Sequence, residues 1–101
     1  MSTWSFTRKA FRDFDAIVDY IRAHATDPDR AEEVSEKIMD TCDRIGEMPL
    51  SGTRRKELRP TLRSVAVNPY TIYYRVVGER VEISRILHQR QDAARIFRKR
   101  K

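Results

Sequence analysis

The apolar residues of this chain change from helical to strand-like spacing in the loop around Pro49, and this change limits the folds that the chain can adopt. From Lys9 to the loop they recur every three or four residues, as on one face of an amphipathic helix. From Arg63 to Leu87, β-branched and aromatic residues dominate, which is typical of strands. A chain of 101 residues has room for one domain with one modest core. We therefore expect a single domain over 1–101 in which helices pack on a sheet.

The chain is predicted to begin with a short strand and a long helix. Trp4 and Phe6 alternate with small polar residues over 3–7, which predicts a half-buried strand. Over 9–25 the apolar spacing predicts a helix. This helix must end before Pro28, because proline lacks a backbone donor and restricts the residue before it.

A second helix is predicted over 29–47, ending near Gly46. Asp27 is the expected N-cap and Pro28 the first helical residue, followed by acidic residues at the positive end of the helix. Cys42 falls on the apolar stripe of this helix, so we expect a small core residue rather than a reactive thiol.

The second half of the chain predicts three strands and a final helical turn. Short links between consecutive strands require them to be antiparallel. The predicted strands are 63–67, 70–77 and 80–87, with turns at Asn68-Pro69 and Gly78-Glu79. Residues 92–98 predict one or two helical turns, which overlap the start of a basic tail at about 95–101. The expected fold class is α+β, with an N-terminal strand and an α-helical hairpin packed on a small antiparallel β-sheet.

Charge is distributed unevenly along the sequence. Residues 1–50 carry 7 Lys/Arg against 11 Asp/Glu, whereas residues 51–101 carry 14 against 4. A positive field of this kind attracts nucleic acid or an acidic protein segment. The sign of the charge does not choose between them.

The sequence also limits the location and the cofactors. No apolar run approaches the roughly 20 residues that span a bilayer, and the N-terminus lacks the apolar stretch of a secretory signal. We therefore expect a cytoplasmic protein without membrane contact. With Cys42, His24 and His88 as the only cysteine and histidines, we expect no metal and no cofactor.

Three stretches of the second half carry a resemblance to a known family. They are Gly52-Thr53-Arg54-Arg55-Lys56-Glu57-Leu58-Arg59 with Leu62-Arg63, then Tyr70-Thr71-Ile72-Tyr73-Tyr74-Arg75-Val76, and then Val81 to Asp92. With these stretches and the predicted element order, the chain resembles the RelE/ParE superfamily of bacterial toxins, and the ParE branch more than the RelE branch. One departure is Gln89-Arg90-Gln91, where many relatives have Gly-Arg-Arg.

The resemblance implies a toxin of a type II toxin-antitoxin system. A ParD-like antitoxin would neutralise it by wrapping it with a C-terminal segment, in a hetero-oligomer, and its target would be DNA gyrase, inhibited by binding. The first alternative is a ribosome-dependent mRNA endonuclease of the RelE type. The second is a noncatalytic member of the superfamily that only binds a partner or nucleic acid, including a decayed toxin. For any of these interpretations, the basic tail would add nonspecific nucleic-acid contact.

Cleavage of RNA by its 2′-hydroxyl requires a proton acceptor, a proton donor and cations at the phosphate. RelE-type nucleases look as if they use clustered cations and a C-terminal tyrosine, yet here only Phe97 follows His88 as an aromatic residue. Arginine is a poor general base because it stays charged. No catalytic residue is therefore assigned, and the nuclease alternative would use Arg85, His88 and Lys56.

Two sets of binding residues are expected. Candidates for target or anion binding are Arg54, Arg55, Lys56, Arg59, Arg63, Arg75, Arg85 and Arg90. Arg75 and Arg85 are predicted to lie opposite each other across the last hairpin, either compensated by a carboxylate such as Glu82 or facing an acidic ligand. Candidates for antitoxin binding are Phe11, Phe14, Ile38 and Tyr73, and the alternative for these residues is the core. Tyr73 and Tyr74 should point to opposite faces of the sheet.

Overall fold

The computed structural model describes residues 3–98, so residues 99–101 of the predicted basic tail lie outside the described residues. Within residues 3–98, three helices and five strands form, and all except the second strand follow the predicted order. Their bounds are β1 Trp4–Phe6, α1 Arg8–His24, α2 Arg30–Glu47, β2 Thr53–Arg54, β3 Arg63–Val67, β4 Tyr70–Val77, β5 Arg80–His88 and α3 Ala93–Arg98.

The strands form one sheet in the order β1-β5-β4-β3-β2. The strands β2, β3, β4 and β5 pair antiparallel with one another, whereas β1 runs parallel to β5, with Trp4 opposite Val81. The α+β fold and the four predicted strands, which are β1, β3, β4 and β5, are confirmed. The strand β2 was not predicted, because its two residues are exposed and carry no apolar alternation.

The start of α2 differs from the prediction. Its N-cap is Asp29 rather than Asp27, and Pro28 precedes the helix. The Arg30 N–H donates to the Asp27 carbonyl oxygen at 3.2 Å, and an Asp27 side-chain oxygen accepts from the Asp29 N–H at 2.9 Å. Asp27 therefore caps a tight turn in front of the helix, and the helix begins two residues later than the Asp-Pro pair suggests.

The first core lies between the helical hairpin and one face of the sheet. Its fully enclosed side chains come from α2, β4 and β5 and include Ile38, Cys42, Ile45, Ile72, Tyr74, Val81 and Ile83. Burial raises the pKa of the Cys42 thiol to about 12, with a smaller contribution from neighbouring Asp43. Cys42 is a core residue, as its position on the apolar stripe predicted.

A second, smaller core covers part of the opposite face. Leu62, Tyr73, Leu87 and Phe97 are buried together there, and the rings of Tyr73 and Phe97 meet edge-on at 5.2 Å. Phe97 comes from α3, so this short helix covers the sheet face that the hairpin leaves open. Tyr73 and Tyr74 point to opposite faces, as predicted.

Candidate functional site

The face of the sheet that carries the second core also contains an open groove of about 930 Å³. The start of α1, the turn before β3, the hairpin β4–β5 and α3 surround it. We call it the basic groove. Its charged lining residues are the cations Arg8, Lys9, Arg59, Arg75 and Arg85 and the carboxylate Glu82.

Arg85 is held at the groove by a carboxylate of α1. Its Nε and Nη2 donate to the two carboxylate oxygens of Asp13 at 2.8 and 3.0 Å. The same carboxylate accepts from the backbone N–H of Ile86 at 2.9 Å. Both charged side chains are largely shielded from water. Asp13 therefore fixes the guanidinium group of Arg85 and satisfies a backbone donor of β5.

This arrangement follows from the short length of β1. That strand ends at Phe6, and the adjoining edge of β5 continues without a strand partner. The cross-strand register places Tyr73 opposite Arg85 and Tyr74 opposite Ile83, so Ser84 forms a bulge. Side chains then complete the edge, because Thr7 Oγ1 donates to the Ser84 carbonyl oxygen at 3.1 Å and Asp13 binds Ile86.

Arg75 forms a more exposed ion pair on the same face. Its Nε lies 2.9 Å from Glu82 Oε1, and the two residues are direct cross-strand partners. The prediction that Arg75 lies opposite Arg85 is wrong, because the turn at Gly78 and Glu79 brings Glu82 to that position. Each arginine instead has its own carboxylate, which matches the structural alternative for this pair.

Arg55 and Arg59 pack on the aromatic rings of the second core. The Arg55 guanidinium lies 5.5 Å from the ring centroid of Tyr73, and that of Arg59 lies 5.1 Å from the centroid of Phe97. Arg55 Nε donates to Glu57 at 2.7 Å, which raises the pKa of Arg55 and lowers that of Glu57. Arg59 Nη2 donates to the Phe97 carbonyl oxygen at 2.9 Å. Both arginines thus attach the turn before β3 to the second core.

The remaining predicted cations are distributed over the surface. Arg63 Nη1 donates to the carbonyl oxygens of Leu50 and Gly52 at 3.0 and 2.9 Å, so it supports the loop after α2. Arg54, Lys56 and Arg90 are exposed. Of the eight predicted anion-binding residues, Arg59, Arg75 and Arg85 line the basic groove.

The nuclease candidates come from different elements. Arg85 and His88 lie on β5, where His88 pairs with Tyr70, whereas Lys56 lies in the turn between β2 and β3. His88 Nδ1 accepts from the Arg90 N–H at 3.0 Å, so this nitrogen has a local structural role.

The antitoxin candidates differ sharply in exposure. Phe11 is 55% exposed, and Phe14 packs partly buried against the first core. Ile38 is completely buried and Tyr73 is 5% exposed, so in this conformation neither offers a surface to a partner. Their apolar character reflects the two cores, which is the alternative that the sequence left open.

Phe11 lies beside the edge strand β1. Its ring centroid is 6.5 Å from that of Phe6, which in turn lies 5.0 Å from that of Trp4. We call these three residues the aromatic edge. The Trp4 indole Nε1–H donates to Asp43 at 2.8 Å, so the indole ring has a fixed position.

Sequence reasoning missed two groove cations and the residue that orients a third. Arg8 and Lys9 belong to the acidic half of the chain, and the net charge of that half conceals them. Asp13 lies 72 residues before Arg85 in the sequence, and no local pattern indicates that they meet. Only the folding of α1 along the edge of β5 brings these residues together.

Two further observations concern membranes and metals. Within residues 3–98, no helix is long and apolar enough to cross a membrane. The same residues contain no group of three or more His, Cys, Asp and Glu side chains able to hold a metal ion.

Comparison with known proteins gives a consistent result. A family model described as the ParE toxin of the type II toxin-antitoxin system, parDE, matches residues 5–93. Toxin ParE1 of Caulobacter vibrioides is 32% identical over 93 residues, which are 92% of this chain and 95% of the relative. Toxin ParE1 of Mycobacterium tuberculosis is 35% identical over 68 residues, 66% of this chain and 69% of the relative.

A solved structure extends the likeness to the fold. This structure, described as the chromosomal ParDE TA system from P. aeruginosa, matches with a TM-score of 0.73 and 27% sequence identity. The match covers 87% of this chain and 96% of that one.

Proposed function

The chain belongs to the ParE toxin family of type II toxin-antitoxin systems, and we propose that it inhibits DNA gyrase by binding and is neutralised by a ParD-like antitoxin. An antitoxin partner is supported by the similar structure from P. aeruginosa, which is that of a ParDE system. Gyrase acts on chromosomal DNA, so this function requires a cytoplasmic protein.

One observation supports binding over RNA cleavage, namely that the best acid-base candidates already have other partners. Nuclease activity needs a proton acceptor and donor within hydrogen-bond reach of one phosphate. Here Arg85 is engaged by Asp13, and His88 Nδ1 is engaged by the backbone of Arg90, while Lys56 lies in the turn between β2 and β3. Inhibition by binding requires no such cluster.

The test is a supercoiling and DNA-cleavage assay with purified gyrase and the full chain. We expect loss of supercoiling or accumulation of cleaved DNA, and reversal of either effect when the ParD-like antitoxin is added. His88→Ala should inhibit gyrase as strongly as the unmodified chain. The proposal would be contradicted if gyrase were unaffected at high toxin excess while the chain cleaved mRNA on ribosomes. Loss of that cleavage in His88→Ala would support the RelE-type alternative.

The aromatic edge is the surface that we propose for an apolar segment of the antitoxin. Phe11 projects from α1 beside Phe6, and aromatic residues are the commonest anchors of protein interfaces. An amphipathic helix of the antitoxin can place its apolar face on such a row of rings.

Replacement of Phe11 by alanine should weaken antitoxin binding. Loss of an aromatic anchor at an interface commonly costs more than about 1 kcal/mol, or at least roughly fivefold in Kd. Tyr20→Ala is the matched control, because Tyr20 is on the same helix and is 63% exposed but lies outside the aromatic edge. Titration calorimetry with the antitoxin measures both variants. Equal affinities for the two would refute this position of the interface.

A further inference from the structure

We propose that the basic groove binds the phosphodiester backbone of duplex DNA, independently of base sequence and of any contact with gyrase. The groove has five cationic side chains from α1, the turn before β3, β4 and β5, and a single carboxylate. This proposal rests on the geometry of the groove and not on the proposed gyrase target.

The groove retains positive charge after its internal ion pairs are counted. Glu82 binds Arg75, and Asp13 binds Arg85 from outside the groove lining. Arg8 and Lys9 occupy the first turn of α1, which contains no acidic residue. Cations at this end of a helix oppose its dipole. An anion bound between α1 and β4 would compensate both side chains and the helix terminus.

The chemistry of the cations fits phosphate oxygens. Four of the five are arginines, and a planar guanidinium group can donate pairs of parallel hydrogen bonds to phosphate. Arg85 already donates its Nε and Nη2 to Asp13, so it can offer a phosphate only its remaining N–H groups. Basic side chains also continue beyond the groove along α3, where Arg95 and Arg98 are exposed. The sequence then continues with Lys99, Arg100 and Lys101. A long polyanion would therefore meet cations over more than the groove itself.

The aromatic wall of the groove is closed to an unstacked base. Leu62 and Phe97 line the groove, yet both are buried in the second core, and the accessible apolar lining comes from residues such as Pro60 and Ile96. Arg59 covers the ring of Phe97, so this ring is not open for stacking on a nucleobase. Contacts to phosphates alone make no distinction between sequences.

The experiment measures binding of a dye-labelled duplex of about 20 base pairs by fluorescence anisotropy, without gyrase, between about 50 and 200 mM salt. The test variant is Arg8→Gln with Lys9→Gln, two exposed residues of the first turn of α1. Its matched control is Arg22→Gln with Lys37→Gln, which makes the same change of charge at exposed helical positions outside the groove. Glutamine keeps the helix propensity of all four sites.

The logarithm of the binding constant falls linearly with the logarithm of the salt concentration, and each lost phosphate contact reduces the steepness of this fall by about 0.9. For the groove variant we expect the steepness of the salt dependence to fall by about two and the affinity for DNA at low salt to fall at least about tenfold. The control variant should keep the salt dependence and the affinity of the unmodified chain. Equal losses in the two variants would overturn the proposal, because they would indicate attraction by net charge alone.

A second arm separates DNA from an acidic protein segment. Poly-glutamate competes with the labelled duplex in the same assay. If poly-glutamate displaces the duplex at a lower concentration of charge than unlabelled DNA does, the groove is an acidic-peptide site and the proposal fails. A groove variant that loses DNA binding but still inhibits gyrase would support the proposal, because it would separate this contact from the target.

Discussion

Asp13 has the largest number of structural roles of any single carboxylate in the groove region. It accepts two hydrogen bonds from Arg85 and one from the backbone of Ile86. Removing one partner of a shielded ion pair leaves the other charge poorly solvated, which costs more than the pair itself contributes. Exposed pairs such as Arg75 and Glu82 contribute far less, because water and salt screen them.

Asp13→Ala should therefore lower the free energy of unfolding by about 3 kcal/mol, since it leaves Arg85 unpaired and an Ile86 donor unsatisfied. Glu82→Ala is the control and should cost less than about 1 kcal/mol. Urea denaturation followed by circular dichroism measures both. Similar losses for the two variants would show that the pair with Asp13 is no better shielded than the surface pair.

The loop after α2 is organised by a tyrosine of β4. The Tyr74 hydroxyl donates to the Pro49 carbonyl oxygen at 2.7 Å and accepts from the Gly52 N–H at 2.9 Å. A side chain at position 52 would collide with that hydroxyl, which explains the glycine there. The loop thus depends on a polar group at the edge of the first core.

Tyr74→Phe should lower the free energy of unfolding by about 2 kcal/mol, because the Gly52 donor and the Pro49 acceptor lose their buried partner. Tyr20→Phe removes an exposed hydroxyl and should leave stability unchanged within about 0.5 kcal/mol. Thermal unfolding of both variants makes the comparison. An unchanged Tm for Tyr74→Phe would mean that water replaces the hydroxyl at no cost.

Element types were predictable from the sequence where apolar spacing is regular, as in α1 and β3 to β5. The start of α2 was placed too early, because Asp27 has the residue type of a helix cap but serves the preceding turn. The position of Arg75 opposite Glu82 and the bulge at Ser84 depend on strand register, which residue types specify only weakly. The groove could not be predicted without the fold, since α1 supplies two of its five cations from the acidic half of the chain.

At the scale of the whole described molecule, residues 3–98, two cores share one sheet but differ in their connection to the rest of the chain. The first core joins both long helices to β4 and β5, whereas the second depends on Phe97 of the six-residue α3. The groove lies beside the second core, with Ile96 and Phe97 in its wall. The stability of α3 therefore affects the shape of the groove without being required for the helical hairpin.

This division predicts different consequences for one large-to-small substitution in each core. Ile38→Ala should cost about 2–5 kcal/mol and accelerate amide hydrogen exchange throughout α1, α2 and the sheet, since Ile38 is enclosed between them. Phe97→Ala should accelerate exchange in α3 and in the turn before β3, where Arg59 binds the Phe97 carbonyl oxygen. Met39→Ala, a partly exposed position on α2, is the control and should have little effect. If Phe97→Ala exposed the amides of α2 as much as Ile38→Ala does, the two cores would unfold as one unit and α3 would be essential to the whole fold.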